Sequence, residues 1–135
     1  DLPHNGCFGP AFRRSEAHIT DALRNTLAMG EFVHRDRSAG RPYQPVPGNV
    51  RAWILGENGN KGIYAFKVCE IAPNTDVDRN YDGIPFNHLP MGSYHLGGTM
   101  FVLADGSVQY LIDTIDFETY QAMATCNGNE IVQLP

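Results

Sequence analysis

Oxygen-bearing side chains alternate along a short acidic segment that ends at Gly83, and they are Asp76, Asp78, Asn80 and Asp82. Hard cations such as Ca²⁺ prefer several oxygen ligands wrapped by a tight turn, and this spacing matches the opening of a calcium-binding loop. The match then fails, because the twelfth position counted from Asp78 is Leu89, where an EF-hand loop supplies a bidentate glutamate. Calcium is therefore a candidate cofactor, with a solvated acidic turn as the alternative, and no other cofactor is expected.

The residue types of a hydrolytic triad occur at Ser93, His95 and Asp105. Two residues that are two apart on an extended segment are separated by roughly 6 to 7 Å, which is too far for a hydrogen bond between nucleophile and base. Asp105 is also required by a turn, and no Gly-x-Ser-x-Gly nucleophile elbow is present. We therefore expect no enzyme activity. His95 is predicted to bond the loop backbone through its ring nitrogens.

Histidine and cysteine spacings suggest no zinc site. His88 and His95 form the only candidate pair for a transition metal, and a structural role is the alternative. Cys7, Cys69 and Cys126 are widely spaced and odd in number. In an oxidising compartment they predict one disulfide and one free thiol, and all three pairings remain open.

A β-hairpin is the clearest local element. Asp105-Gly106 favours a two-residue type I′ turn, which sets Phe101 opposite Tyr110. Because side chains alternate along a strand, this register places one apolar group of residues on the buried face: Phe101, Leu103, Val108, Tyr110 and Ile112. The other face then carries Val102, Ala104, Ser107 and Gln109 and is half polar.

A helix is predicted after the hairpin. Asp116 is its N-cap, Ile115 and Tyr120 form a hydrophobic staple, and Asn127-Gly128 ends it. Elsewhere, the patterns predict a helical turn within 19–25, capped by Thr20 or Asp21, a long loop over 34–49, and strands over 26–33, 50–55, 63–69 and 130–134. The result is an α+β fold with an antiparallel sheet of about four to six strands.

Length and charge limit the functions that are plausible. A chain of 135 residues suits one globular domain, and 42% hydrophobic residues argue against disorder. A net charge of −5 argues against a nucleic-acid partner. No apolar run reaches the roughly 18 residues needed to span a bilayer.

Several segments together resemble one bacterial family. His95 is followed by nine residues and then Asp105-Gly106, and the loop before the hairpin contributes Asn87, Ser93, Gly97 and Gly98. Further similar segments are Asn5–Gly9, Ile19–Asp21, Asn25–Leu27, Met29–Glu31, Asp82–Asn87, Ala104–Val108 and Thr119–Thr125. The pattern resembles type II secretion pseudopilin-like (prepilin-type) proteins that carry a C-terminal His-x(9)-Asp-Gly domain of unknown function.

The resemblance implies a pilin-like head, over residues 1–135, of a longer precursor whose N-terminal helix is missing here. It implies a location in the periplasm, at the cell surface or outside a bacterium, with contact to the membrane only through that helix. The expected function is a non-catalytic structural and interaction protein whose partners are sister subunits or secretion components. A calcium- or small-solute-binding extracellular module is the alternative. Calcium loops near the C-terminus of secretion pseudopilins support the candidate at residues 76–82 by resemblance only.

Overall fold

The computed structural model describes residues 4–9, 12–33 and 66–128. Within these ranges the strands are β1 (Leu27–Gly30), β2 (Gly98–Leu103) and β3 (Val108–Ile112), and the helices are α1 (Arg79–Asp82) and α2 (Phe117–Ala124). Single 3₁₀ turns cover Glu16–His18, Leu23–Asn25 and Phe86–His88. None of the helices in these ranges is long and apolar enough to cross a membrane.

The three strands form one antiparallel sheet in the order β1-β2-β3. β2 lies in the centre, so a strand from the N-terminal third pairs with the C-terminal hairpin. The register of β1 on β2 shifts between Leu27 and Met29, which indicates a bulge. The expected α+β class is confirmed.

The hairpin is confirmed, but its predicted register is wrong by one residue. Phe101 pairs with Gln109, and Tyr110 pairs with Met100. The backbone N–H of Leu103 donates to Ser107 O at 2.8 Å, and Gly106 has φ +85°. The loop therefore contains three residues, Ala104–Gly106, with glycine in the left-handed position of a G1 bulge. One extra loop residue moves every residue of β3 to the opposite face.

The buried face of the sheet therefore carries Phe101, Leu103 and Leu111, each at most 3% exposed. Val108, Tyr110 and Ile112 were expected inside but lie on the other face, where they are 40–61% exposed. Helix α2 covers the buried face through Tyr120 and Met123, which are fully buried. The rings of Phe101 and Tyr120 meet edge to face with centroids 6.0 Å apart.

Helix α2 begins as predicted and ends earlier. The Asp116 carboxylate accepts a hydrogen bond from the Thr119 N–H at 2.8 Å, and Ile115 packs against the cluster that contains Tyr120. The helix ends at Ala124, because Thr125 is extended (φ −93°, ψ 159°) and Cys126 N–H donates to Asn5 O at 2.9 Å. Contacts with the N-terminal segment thus replace the predicted stop at Asn127-Gly128.

The other predicted elements are confirmed in part. The strand over 26–33 is observed as β1, and the turn within 19–25 is observed at Leu23–Asn25 with no side-chain cap. Asp21 instead accepts a hydrogen bond from Gly128 N–H at 2.7 Å. Of the strand over 63–69, residues 66–69 are described and are in no strand. The predicted loop over 34–49 and strands over 50–55 and 130–134 lie outside the described residues.

Two truncations on β3 test the observed register. Leu111→Ala should lower the free energy of unfolding by about 2–5 kcal/mol, because it opens a cavity in the core. Val108→Ala should cost less than about 1 kcal/mol, because this side chain faces solvent. Urea unfolding of both variants measures the difference. The two-residue turn would give the reverse order, so a larger loss for Val108→Ala would contradict the observed register.

Candidate functional site

Most of the signature residues lie between Phe86 and Gly98, in the segment that leads into β2, whereas Asp105 and Gly106 lie in the hairpin turn. This entry loop (residues 86–98) starts with a 3₁₀ turn, is buried from Leu89 to Ser93, and is exposed from Tyr94 to Gly97. It runs beside the residues that follow β1, since Gly92 N–H donates to Glu31 O and Val33 N–H donates to Gly92 O, both at 3.0 Å. The entry loop thus continues the antiparallel hydrogen bonding of the sheet past the end of β1.

Asn74 holds the entry loop to both strands of the hairpin. Its Oδ1 accepts a hydrogen bond from Ser93 N–H at 2.8 Å, and its Nδ2 donates to Gly98 O at 3.2 Å and to Asp113 Oδ1 at 2.6 Å. Asn74 has φ +60°, a left-handed conformation that asparagine tolerates better than most residues. Sequence reasoning missed this residue, because Pro73-Asn74 signals only a turn.

Glu31 anchors the loop from the β1 side. Its Oε2 accepts a hydrogen bond from Met100 N–H at 3.0 Å, and its Oε1 lies 3.6 Å from His95 Nε2. The Met100 N–H holds the pKa of Glu31 below its ordinary value, and the Ser93 hydroxyl and His95 add to this effect. The prediction that the His95 ring bonds the loop backbone is therefore wrong. The ring faces a carboxylate that β1 brings beside the loop.

The two glycines at the end of the loop serve different physical needs. Gly97 has φ +81°, which favours a residue without a Cβ. A Cβ on Gly98 would lie 2.4 Å from Leu111 O and 2.5 Å from Tyr110 Cζ, so this position requires close approach. The Tyr110 hydroxyl also donates to Leu96 O at 2.6 Å. The exposed tyrosine thus closes the loop onto β3.

Asn87 and Asp105 also bond to backbone. Asn87 Nδ2 donates to Phe66 O at 2.8 Å. Asp105 Oδ1 accepts from the Ser107 N–H at 2.8 Å and from its hydroxyl at 2.6 Å. The Ser107 hydroxyl, followed by the backbone N–H, holds the pKa of Asp105 below its ordinary value. Asp105 lies in the turn at the far end of the hairpin from Ser93, so the structure does not assemble these residue types into a triad.

The acidic segment forms helix α1 and its cap. Asp78 is the N-cap, and its Oδ1 accepts hydrogen bonds from Asn80 N–H at 3.2 Å and Tyr81 N–H at 3.0 Å. Asp82 Oδ2 accepts from Asp78 N–H at 3.1 Å, and Gly83 ends the helix at φ +68°. Asp76 lies just before this turn and is exposed. Calcium binding by these residues stays a prediction.

Histidines and acids do not converge elsewhere in the described ranges. His88 Nδ1 contacts the Glu70 carboxylate, whereas His95 pairs with Glu31, so the two histidines have separate partners. Among residues 4–9, 12–33 and 66–128, no group of three or more histidine, cysteine, aspartate or glutamate side chains is placed to hold a metal ion.

Lys67 is a half-buried cation that the sequence did not single out. Its Nζ lies 3.7 Å from the ring centroid of Phe32 and 3.9 Å from that of Phe86, and it donates to Phe86 O at 2.8 Å. These rings attract the ammonium through their negative faces. Burial, with a smaller effect from Arg79, lowers the pKa of Lys67 to about 7. The Lys67 side chain thus holds the start of the entry loop through its contacts with Phe86.

Replacing Asn74 should destabilise the fold. Asn74→Ala removes three side-chain hydrogen bonds and places alanine at positive φ, and we expect a loss of more than about 2 kcal/mol in the free energy of unfolding. Asn74→Gly removes the same bonds but tolerates the backbone conformation, so its loss should be smaller by about 1 kcal/mol. Urea unfolding measures both. Wild-type stability in the glycine variant would show that the amide contacts contribute nothing.

We expect the half-buried Lys67 side chain to make the free energy of unfolding depend on pH. Between its native pKa of about 7 and its unfolded value of 10.5, the unfolded chain binds more protons than the native protein. The free energy of unfolding should therefore rise with pH in this range, by up to about 1.4 kcal/mol per unit. Lys67→Met should lack this increase. Urea unfolding of both proteins from pH 6 to 8.5 avoids most of the cysteine and tyrosine titration. A constant difference between the two proteins would contradict the prediction.

Comparison with known proteins identifies the family but no characterised relative. A family model described as "Protein of unknown function (DUF1559)" matches residues 2–118, most of the chain. No curated protein and no solved structure matches the chain. The family is associated with pilin-like proteins of type II secretion, which agrees in part with the resemblance of the entry loop and hairpin. The chain belongs to the DUF1559 family of proteins of unknown function.

Proposed function

We propose that this protein is a non-catalytic, pseudopilin-like structural and interaction protein that docks on sister subunits through its hairpin. Its place is the periplasm, the cell surface or extracellular filaments of a bacterium, in association with secretion. Family membership supports the location, and the apolar exposed face of the sheet supports the docking. That face is the single observation on which the proposal depends.

The outer face of the sheet is the face turned away from α2, and it consists of Met29, Met100, Val102, Val108, Tyr110 and Ile112. Four of these side chains are 40–61% exposed, and Leu96 beside them is 99% exposed. None of these six residues is charged, and Glu31, which bonds to Met100 N–H, lies beyond the end of β1, on the side of the sheet away from β3. Exposed apolar surface of this extent typically marks an interaction site.

Among the described residues β3 is an edge strand of the sheet, and this favours a second copy of the chain as the partner on the outer face. In the part of the chain that the structure describes, β3 pairs only with β2. Leu103 N–H donates to Ser107 O, and Asp113 N–H donates to Gly97 O. Because every second residue of an antiparallel strand bonds to the same neighbour, the backbone N–H and C=O groups of Val108 and Tyr110 point away from β2. The β3 edges of two copies can pair with each other around a two-fold axis. The outer faces of the two sheets then form one continuous surface, and their six listed residues bring no like charges together.

The non-catalytic part of the proposal follows from how the polar signature residues are used. Asn87 and Asp105 bond to backbone groups, and Ser93 Oγ accepts a hydrogen bond from His95 N–H at 3.0 Å. Glu31 bonds to Met100 N–H and pairs with the exposed His95 ring. Each of these groups contributes to holding the loop and hairpin together, which supports a structural role for the signature.

A single lysine at the edge of β3 tests the docking. We expect the wild-type chain to self-associate as its concentration rises towards about 1 mM, the weak end of specific binding. Val108→Lys should remain monomeric, because a charge on the edge and outer face disfavours strand pairing. Sedimentation velocity across a concentration series measures the change. The added lysine reduces the net negative charge, so a general increase in repulsion cannot explain a loss of association.

Tyr81→Lys is the matched control. Tyr81 is 89% exposed on α1, outside the sheet, and the substitution changes the net charge by the same amount. This variant should associate as the wild type does, and both variants should keep the wild-type circular dichroism spectrum. A wild-type chain that stays monomeric throughout, or equal association by Val108→Lys, would overturn the docking on sister subunits.

A calcium- or small-solute-binding module is the alternative function. Asp78 and Asp82 already accept backbone hydrogen bonds within α1, which gives this alternative less support than the outer face. Metal analysis of the purified protein separates the two functions. A stoichiometric calcium ion, lost in Asp78→Ala, would favour the binding module.

A further inference from the structure

Two of the three cysteines come from the two ends of the described chain and lie near each other. The segment before Cys7 runs along the residues that follow α2, where Cys126 N–H donates to Asn5 O at 2.9 Å. The Cys126 thiol points at Gly6 O, with Sγ and O 3.7 Å apart. Because Gly6 immediately precedes Cys7, Cys7 lies close along the chain to the backbone that the Cys126 thiol contacts.

The residues around Cys126 are held from a second side as well. Thr20 N–H donates to Cys126 O at 2.8 Å, and the Asp21 carboxylate accepts a hydrogen bond from Gly128 N–H at 2.7 Å. Cys126 is fully buried, whereas Cys7 is half-buried. Backbone contacts on both sides thus hold Cys126 in one position beside the segment that contains Cys7.

Cys69 lies in a different environment. It packs against the core that contains Tyr120, and its carbonyl accepts a hydrogen bond from Gln121 Nε2 at 3.3 Å. Burial raises the pKa of the Cys69 thiol. Burial also raises the pKa of Cys7, to about 11, but here Cys126 adds to the shift. Cys126 is thus close enough to act electrostatically on Cys7, and Cys69 belongs to another site.

We propose that Cys7 and Cys126 form an intramolecular disulfide that fastens the N-terminal segment to the end of α2 and leaves Cys69 as a free thiol. The oxidant is a disulfide, either a small molecule or an oxidoreductase. One cysteine thiolate attacks it and releases one thiol, and the second cysteine then displaces the other. Together the two cysteines lose two protons and two electrons, and the oxidant becomes two thiols.

The environment of the pair also determines when the bond forms. Thiolates are the reacting species, and a pKa near 11 leaves few of them on Cys7 in the folded protein at neutral pH. The bond should therefore form during folding, before these side chains are buried. Once formed, the bond links residues far apart in the chain, which limits the freedom of the unfolded state.

Trypsin separates the three cysteines, so the pairing can be read directly. Cleavage after arginine and lysine places Cys7 in residues 1–13, Cys69 in residues 68–79 and Cys126 in residues 80–135. The full chain is refolded with reduced and oxidised glutathione, digested without reductant and analysed by mass spectrometry. We expect residues 1–13 joined to residues 80–135, and one free thiol per chain in denaturant. A link to residues 68–79, or three free thiols, would overturn the proposal.

Serine variants supply the controls. Cys69→Ser should keep the cross-link, and reductant should lower the Tm of this variant and of the wild type by several degrees. Cys7→Ser should have no cross-link and a Tm that reductant does not change. If the buried Cys126→Ser fails to fold, Cys7→Ser still decides the result, because its side chain is only half-buried. An unchanged wild-type Tm after complete reduction would overturn the fastening role.

Discussion

The three-residue turn at Ala104–Gly106 is the constraint on which the rest of the structure depends. Gly106 at φ +85° lets the chain reverse with one residue more than a two-residue turn, and this residue decides which side of β3 faces the core. Leu111 then joins Phe101 beneath α2, where both are 2% exposed. The same choice places Val108 and Ile112 on the outer face. One backbone conformation thus determines both the core and the surface through which we propose that subunits meet.

The entry loop shows how hydrogen bonds from polar side chains can hold a segment without helix or strand in one conformation. Buried backbone groups must find hydrogen-bond partners, and a loop cannot supply them from a ladder of its own. Asn74 and Glu31 provide these partners from outside the loop, one from the turn before α1 and one from the end of β1. The signature residues Ser93 and Gly98 are among the groups that these two side chains contact. Ser93, whose residue type suggested catalysis in the sequence, thus contributes hydrogen bonds that hold the loop in its conformation.

The two ends of the described chain meet at the end of α2. Asp21 accepts hydrogen bonds from Thr125 Oγ1 and from Gly128 N–H, and Cys126 contacts Asn5 and Thr20 through its backbone. These contacts are long in sequence, so their formation removes much of the freedom of the unfolded chain. A covalent link at this place would strengthen a closure that the hydrogen bonds already define. In a secreted or surface protein, such a link also resists local opening of the chain ends.

The sequence by itself determined the elements whose causes are local. A turn glycine with alternating residues predicted the hairpin, Asp116 predicted the start of α2, and the apolar run predicted β1, so the α+β class followed. Only the tertiary structure decided the register of β3, the end of α2, the partner of His95 and the proximity of Cys7 to Cys126. Two- and three-residue turns differ little in local preference, and burial against α2 selects between them. The other three depend on residues distant in sequence, and no local pattern records which of them the fold brings together.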